Sequence, residues 1–224
     1  MTVAPLSPTP RTTVRRHADR AQTDRAALFD VLAGAFVCHV GVLVDGVPLV
    51  LPTAYGADPD GPDEGGTLYL HGSVASHSLL TAPDQEVCVT VTVVDGLVLA
   101  RSAFHHSMNY RSAVVVGRPR VVTEPDEVRR ALALVVDQVV PGRSQTLRSH
   151  TRKELAATRV LALPLLESSV KARAGGPVDD EADVASGGWA GVVPVRTALD
   201  APDTAADADG ADVPDEVLRR VSAK

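Results

Sequence analysis

The sequence predicts a mainly β fold of the α+β class, an antiparallel barrel with peripheral helices. Three observations carry this: short β-rich runs, Asp-Gly pairs between them, and no repeated strand–helix alternation. A helix over Thr23 to Ala33 opens the ordered region, with Ala26, Ala27, Leu28, Val31 and Leu32 on one face and Gly34 as its stop. Phe36 to Val44 and Val47 to Tyr55 read as strands joined at Asp45-Gly46, a pair that tolerates the positive φ of a type I′ turn. Glycine-rich residues 56–66 separate the next strand, Thr67–His71, and a helix is expected over 74–82. The same hairpin device recurs at Asp95-Gly96, between Glu86–Val94 and Leu97–Ser102.

Tyr110 to Val122 is a further strand, interrupted at Gly117 and Pro119, where a bulge or an edge is expected. Thr123, with Pro125 and Asp126 after it, starts a helix striped by Val128, Ala131, Leu132, Val135 and Val139, which ends before Pro141-Gly142. Thr158–Leu166 and Trp189–Arg196 are the last strands, separated by a polar connection over 167–188. The domain is therefore placed at 14–196, between a proline-rich tail at 1–13 and an acidic Ala/Asp-rich tail at 197–224. Residues 215–221 suit a helical turn or two, with few apolar residues to dock them.

A chain of 224 residues can bury a real core, and 45% hydrophobic against 22% charged residues is a globular balance. The formal net charge of −6 gives no electrostatic reason for a nucleic-acid partner. No apolar run approaches the roughly 18 residues of a membrane helix, and the N-terminus lacks a signal-peptide core, so a cytoplasmic protein is expected. Cys38 and Cys88 lie in apolar runs without metal or redox spacing, and the histidines match no zinc motif, so no metal is predicted.

Two polar segments can carry chemistry. At Tyr69-Leu70-His71-Gly72-Ser73-Val74-Ala75-Ser76-His77 a strand runs through a glycine into a helix, which suits a phosphate and equally suits an ordinary serine N-cap. In the second, 97–112, an apolar run turns polar. Arg101 and Arg111 offer planar cationic forks for phosphate, and Asn109 with the hydroxyls can meet a heterocycle edge.

The succession Pro52-Thr53-Ala54-Tyr55, Leu70-His71-Gly72-Ser73, Asp95 to Ser102 and His105-His106-Ser107-Met108-Asn109-Tyr110-Arg111-Ser112 resembles the pyridoxamine 5'-phosphate oxidase-like FMN-binding split-barrel family. The nearest branch is the one containing nitroimidazole-resistance proteins. The likeness spans roughly 14–196 and includes Pro141-Gly142-Arg143, Lys153-Glu154-Leu155 and Trp189 to Pro194.

The resemblance implies a split-barrel homodimer with FMN at the subunit interface, acting as an oxidoreductase on nitro-aromatic or other small oxidised substrates. Carried over, Ser73 and Ser76 face the FMN phosphate, Arg101 and Ser102 lie beside the cofactor, and Pro52, Thr53 and Tyr55 line the ring. Tyr110, Arg111 and Ser112 complete the cleft. His71 stands as proton donor, as substrate anchor, or as a neutral residue holding the loop. Many relatives carry Arg or Lys where this chain has His77, a residue largely neutral at pH 7. The alternatives are the same barrel with haem, on His71 or His105, or with the deazaflavin F420, and a non-catalytic small-molecule binder.

Overall fold

The computed structural model describes residues 5–208 and 210–222. Its elements in chain order are β1 (Ala21–Gln22), α1 (Arg25–Ala33), β2 (Cys38–Val44), β3 (Val47–Thr53), β4 (Tyr55–Asp58), β5 (Thr67–Ser73), α2 (His77–Thr81) and β6 (Val87–Leu99). There follow β7 (Ser107–Gly117), β8 (Arg120–Val121), α3 (Pro125–Val139), α4 (Arg152–Ala157), β9 (Thr158–Pro164), β10 (Ser168–Arg173), α5 (Glu181–Ala185), β11 (Gly191–Pro194) and α6 (Asp215–Ser222). The strands form two antiparallel sheets, β1-β10-β7-β6-β2-β3 with β11 added to β6, and β4-β5-β9-β8. The sheets do not close on one another, which is the split form of the barrel.

The two Asp-Gly pairs behave differently. At Asp45 and Gly46 φ is 51° and 78°, and β2 and β3 pair directly from Val44↔Val47 outward, so this pair makes the predicted hairpin. Asp95-Gly96 makes no hairpin: β6 runs straight through it, paired with β7 on both sides of a bulge between Val94 and Gly96. Arg111 of β7 donates two hydrogen bonds to the Asp95 carboxylate, at 3.0 and 2.9 Å, and the Asp95 carbonyl accepts from Val195 N–H at 3.0 Å. Neighbouring strands hold the pair extended on either side.

Other boundaries also moved. The strand expected at Tyr110–Val122 divides where its interruption was read: β7 ends at Gly117, and β8 crosses to the other sheet to pair with β9. The connection at 167–188 contains β10, which pairs with β7 along its length, and α5. Helix α4, absent from the sequence reading, is fixed by a capping box between Thr151 and Glu154.

Helix α1 begins at Asp24, whose side chain accepts from Ala26 N–H at 2.9 Å, and buries Leu28, Val31 and Leu32 between the sheets. Each such side chain contributes about 1.5–3 kcal/mol by leaving water. Residues assigned to the N-terminal tail pack as well. Leu6 is 4% exposed in this core, Ser7 N–H donates to Ser168 O, and Arg11 bridges Glu86 and Glu167. Helix α6 docks through polar contacts: buried Glu216 accepts from Arg143 at 3.0 Å and Thr146 at 2.6 Å, and Arg220 lies 5.1 Å over the Phe36 ring. The short apolar stripe gave no sign of these, because charged groups supply the docking.

Candidate functional site

The residues singled out from the sequence separate into two places. Pro52, Thr53, His71, Ser73 and Ser76 line one cavity of about 260 Å³ between the end of β3, the end of β5 and α2. Apolar side chains, among them Val40, Val42, Leu51, Leu70, Leu79 and Leu161, form most of its wall, and neither Arg nor Lys lines it. Gly72 brings α2 close on β5: a Cβ there would stand 2.6 Å from Leu79 Cδ1, the tip of a side chain that would have to turn aside.

His71 sits on β5 opposite Val160 and makes no side-chain hydrogen bond among the described residues; its Nδ1 is buried without a partner. Burial lowers its pKa below the ordinary imidazole value, so the ring is neutral at pH 7. The two serines are engaged locally. Ser73 Oγ accepts from Ala75 N–H at 3.2 Å, and Ser76 Oγ lies 3.1 Å from Ser78 Oγ. His77, exposed, has its Nε2 3.4 Å from Asp45 Oδ1. A phosphate at this turn finds no permanent cation on the cavity wall among the described residues.

Tyr55 is fully buried and belongs to the scaffold. Its hydroxyl donates to the Leu32 and Ala35 carbonyls at 2.5 and 3.1 Å, where Gln138 Nε2 donates too, at 2.7 and 2.8 Å. These bonds satisfy the open end of α1. Tyr55, expected to line a ring, has its side chain turned into the core by its strand and is not on the wall of the His71 cavity.

The second group lies around β7. Arg101 binds Asp179 through its backbone N–H and guanidinium, both at 2.8 Å, and Arg111 is held by Asp95. Burial pushes the Asp179 carboxyl up, but those bonds from Arg101 outweigh it and hold it below the ordinary range. Both arginines expected to face a phosphate are thus matched by carboxylates of this chain. Ser102 Oγ is buried without a partner, and Ser112 Oγ donates to Lys171 O at 3.5 Å. Asn109 accepts from Arg173 and donates to Gly175 O at 3.0 Å, so it orients a side chain that the sequence reading passed over.

Tyr110 and Arg173 belong to a second cleft, of about 580 Å³, lined also by Arg16, Arg20, Lys171 and the histidines 17, 105 and 106. Four permanent cations converge here from segments some 150 positions apart in the chain. Strand pairing brings them together: β1 sets Ala21 opposite Lys171, and β10 sets Arg173 opposite Tyr110. The sequence signal was Arg15-Arg16-His17 with Arg20, which lies just beyond the assigned tail.

Residues 24–172 match the family profile described as pyridoxamine 5'-phosphate oxidase. The fold is similar to that of a flavocytochrome from Azotobacter vinelandii, with a TM-score of 0.87 and 34% identity over 96% of this chain and 98% of that one. A FAD- and haem-binding protein from Mycobacterium smegmatis is 39% identical, with a TM-score of 0.82, over 89% of this chain and 96% of that one. A candidate 5-nitroimidazole antibiotic resistance protein from Bacteroides thetaiotaomicron shares the fold at 22% identity, with a TM-score of 0.54 over 67% of this chain and 85% of that one. No curated protein matches the chain.

Proposed function

The chain belongs to the pyridoxamine 5'-phosphate oxidase family, and from that premise we propose that it is a redox protein binding both a flavin and haem, with His71 as the ligand to the haem iron. The observation that carries this reading is the neutral, unpartnered His71 imidazole in a wall of Val, Leu and Pro side chains. A metal ligand must present a free lone pair, and a buried neutral imidazole does so without first losing a proton. The chemistry of the wall fits: apolar side chains suit a porphyrin face, and no charged side chain among the described residues lines the cavity, whose volume of about 260 Å³ would hold part of the group and leave the rest beyond it. The two similar proteins at 34% and 39% identity, a flavocytochrome and a FAD- and haem-binding protein, support the pairing of cofactors.

Bound there, haem supplies one-electron chemistry, and a flavin links that to two-electron donors. The chain's own part is to present His71 and to exclude water with Leu51, Leu70, Leu79 and Leu161, with Pro52 and Pro119 also on the wall. The free cysteines Cys38 and Cys88 suit a cytoplasmic protein; burial raises the Cys38 thiol to about 12 and makes it inert. A homodimer is part of the proposal. Edge strand β3 leaves Val47, Leu49 and Val50 exposed, the last at 67%, an apolar edge that a second copy would cover.

A second reading keeps FMN in the His71 cavity, with the phosphate at Ser73 and Ser76 and His71 donating a proton to a nitro-aromatic substrate. The presence of both serines on the cavity wall favours it. One experiment separates the two: the visible spectrum of the purified protein, with and without added haem, in wild type and His71→Ala. A Soret band that His71→Ala abolishes supports the first reading. Flavin absorbance with no Soret band at any haem concentration, together with turnover of nitro-aromatics, would replace it with the second.

A further inference from the structure

The cleft beside β10 has no role in the readings above. Arg16, Arg20, Lys171 and Arg173 line it, and none of them lies within ion-pair distance of a carboxylate among the described residues. In a chain of net charge −6, four unmatched cations in one concavity are an electrostatic hole. Asp179 is held by Arg101, Asp180 and Asp183 cluster with His105 at one end of the cleft, Asp180 at 3.4 Å, and Asp19 is exposed and pairs with neither Arg16 nor Arg20.

The cations are held in place by neutral groups. Arg173 donates to Asn109 Oδ1 and, at 3.0 Å, to Gly176 O, while Lys171 Nζ donates to Arg16 O at 2.8 Å. His17 adopts a left-handed φ of 53°, a strained conformation for a residue with a side chain, and this turn carries Arg16 and Arg20 to the same cleft. Aromatic surface adjoins the charge: Tyr110 lines the cleft, and Phe104, 90% exposed, stands edge-on to His105 with ring centroids 5.1 Å apart. The volume of about 580 Å³ falls in the range of small-molecule sites and is far more than a single phosphate fills.

We propose that this cleft binds the diphosphate of a dinucleotide, with Arg16, Arg20, Lys171 and Arg173 around the phosphates and Tyr110 and Phe104 beside a base. Two sources supply that chemistry, a flavin adenine dinucleotide or a reduced nicotinamide dinucleotide acting as electron donor. With the flavin reading the proposal shares only the premise that a nucleotide cofactor is used.

The test is equilibrium binding of ADP, inorganic pyrophosphate and adenosine to the full chain, as purified and after flavin removal. ADP and pyrophosphate are expected to bind and adenosine to bind far more weakly, with affinity falling as salt rises. Arg20→Gln and Arg173→Gln should each weaken ADP binding about tenfold or more, the contribution of a charge-assisted hydrogen bond to phosphate. Arg16→Gln, whose guanidinium makes no hydrogen bond to the protein among the described residues, checks that the loss is one of charge and not of folding.

Release of FAD by excess ADP would assign the cleft to the flavin. Inhibition of flavin reduction by NADH, with the flavin retained, would assign it to the donor. ADP binding through these arginines in a protein that takes up no flavin at all would uphold this inference while removing the flavin reading. Absence of saturable ADP and pyrophosphate binding at millimolar concentration in both states, or binding unchanged in the Arg20→Gln/Arg173→Gln double variant, overturns the proposal.

Discussion

The cavity at His71 and the cleft at Arg173 open off one split barrel, yet they are made from opposite materials. The first has apolar walls, no permanent charge, and a single imidazole that burial keeps neutral. The second gathers four cations, none in an ion pair with a carboxylate among the described residues. The difference teaches that ligand class is set by what the wall does to charge. Low polarity removes a proton and leaves a lone pair for a metal, whereas convergent guanidinium groups await an anion.

Four changes break or sharpen that contrast. Arg173→Glu reverses the charge at the centre of the cleft; nucleotide binding should weaken about 100-fold or more, roughly 2.7 kcal/mol, with the haem Soret titration unchanged. Gly72→Ala acts on the other side. Its new Cβ meets only the tip of Leu79, which can turn aside, so thermal unfolding should show a loss at the low end of about 1–3 kcal/mol and nucleotide affinity should stay as in wild type. Asn109→Ala removes one of the acceptors that orient Arg173 and leaves the carbonyls of Gly175 and Gly176, so ADP binding should weaken by up to about tenfold with Arg173 itself intact.

The smallest effect is one of pH. Since burial lowers the His71 pKa, the unfolded chain takes up a proton first as pH falls below about 6.5. His71 therefore costs nothing above that point; the cost grows as pH falls to its lower folded value and stays in full below it. Denaturant titrations should show wild type losing stability relative to His71→Ala as pH drops through this window. Equal losses in both proteins would place the titrating group elsewhere.

Where a signal was local, the sequence disclosed it. Asp45-Gly46 makes its turn because the flanking strands pair with each other. The identical pair at 95–96 does not, because β7 and β11 hold β6 extended, and no local reading contains those partners. The His71 cavity was legible for the same reason, since its polar residues follow one another along the end of β5. The cleft was not: Arg16 and Arg20 meet Lys171 and Arg173 only through the pairing of β1 with β10, and β10 had been read as a loop. Arg101 and Arg111 drew attention by composition, but their partners Asp179 and Asp95 are known only from the fold. Net charge is silent on such a site, because a sum of −6 says nothing of a cluster that folding assembles.

The most direct test of two independent sites crosses two variants with two ligands: haem titration by the Soret band and ADP binding, in His71→Ala and in Arg20→Gln/Arg173→Gln. The account predicts that His71→Ala loses the Soret band and keeps ADP affinity, while the double arginine variant keeps the band and loses ADP. Haem binding undiminished in His71→Ala, or both ligands lost together in each variant, would contradict it.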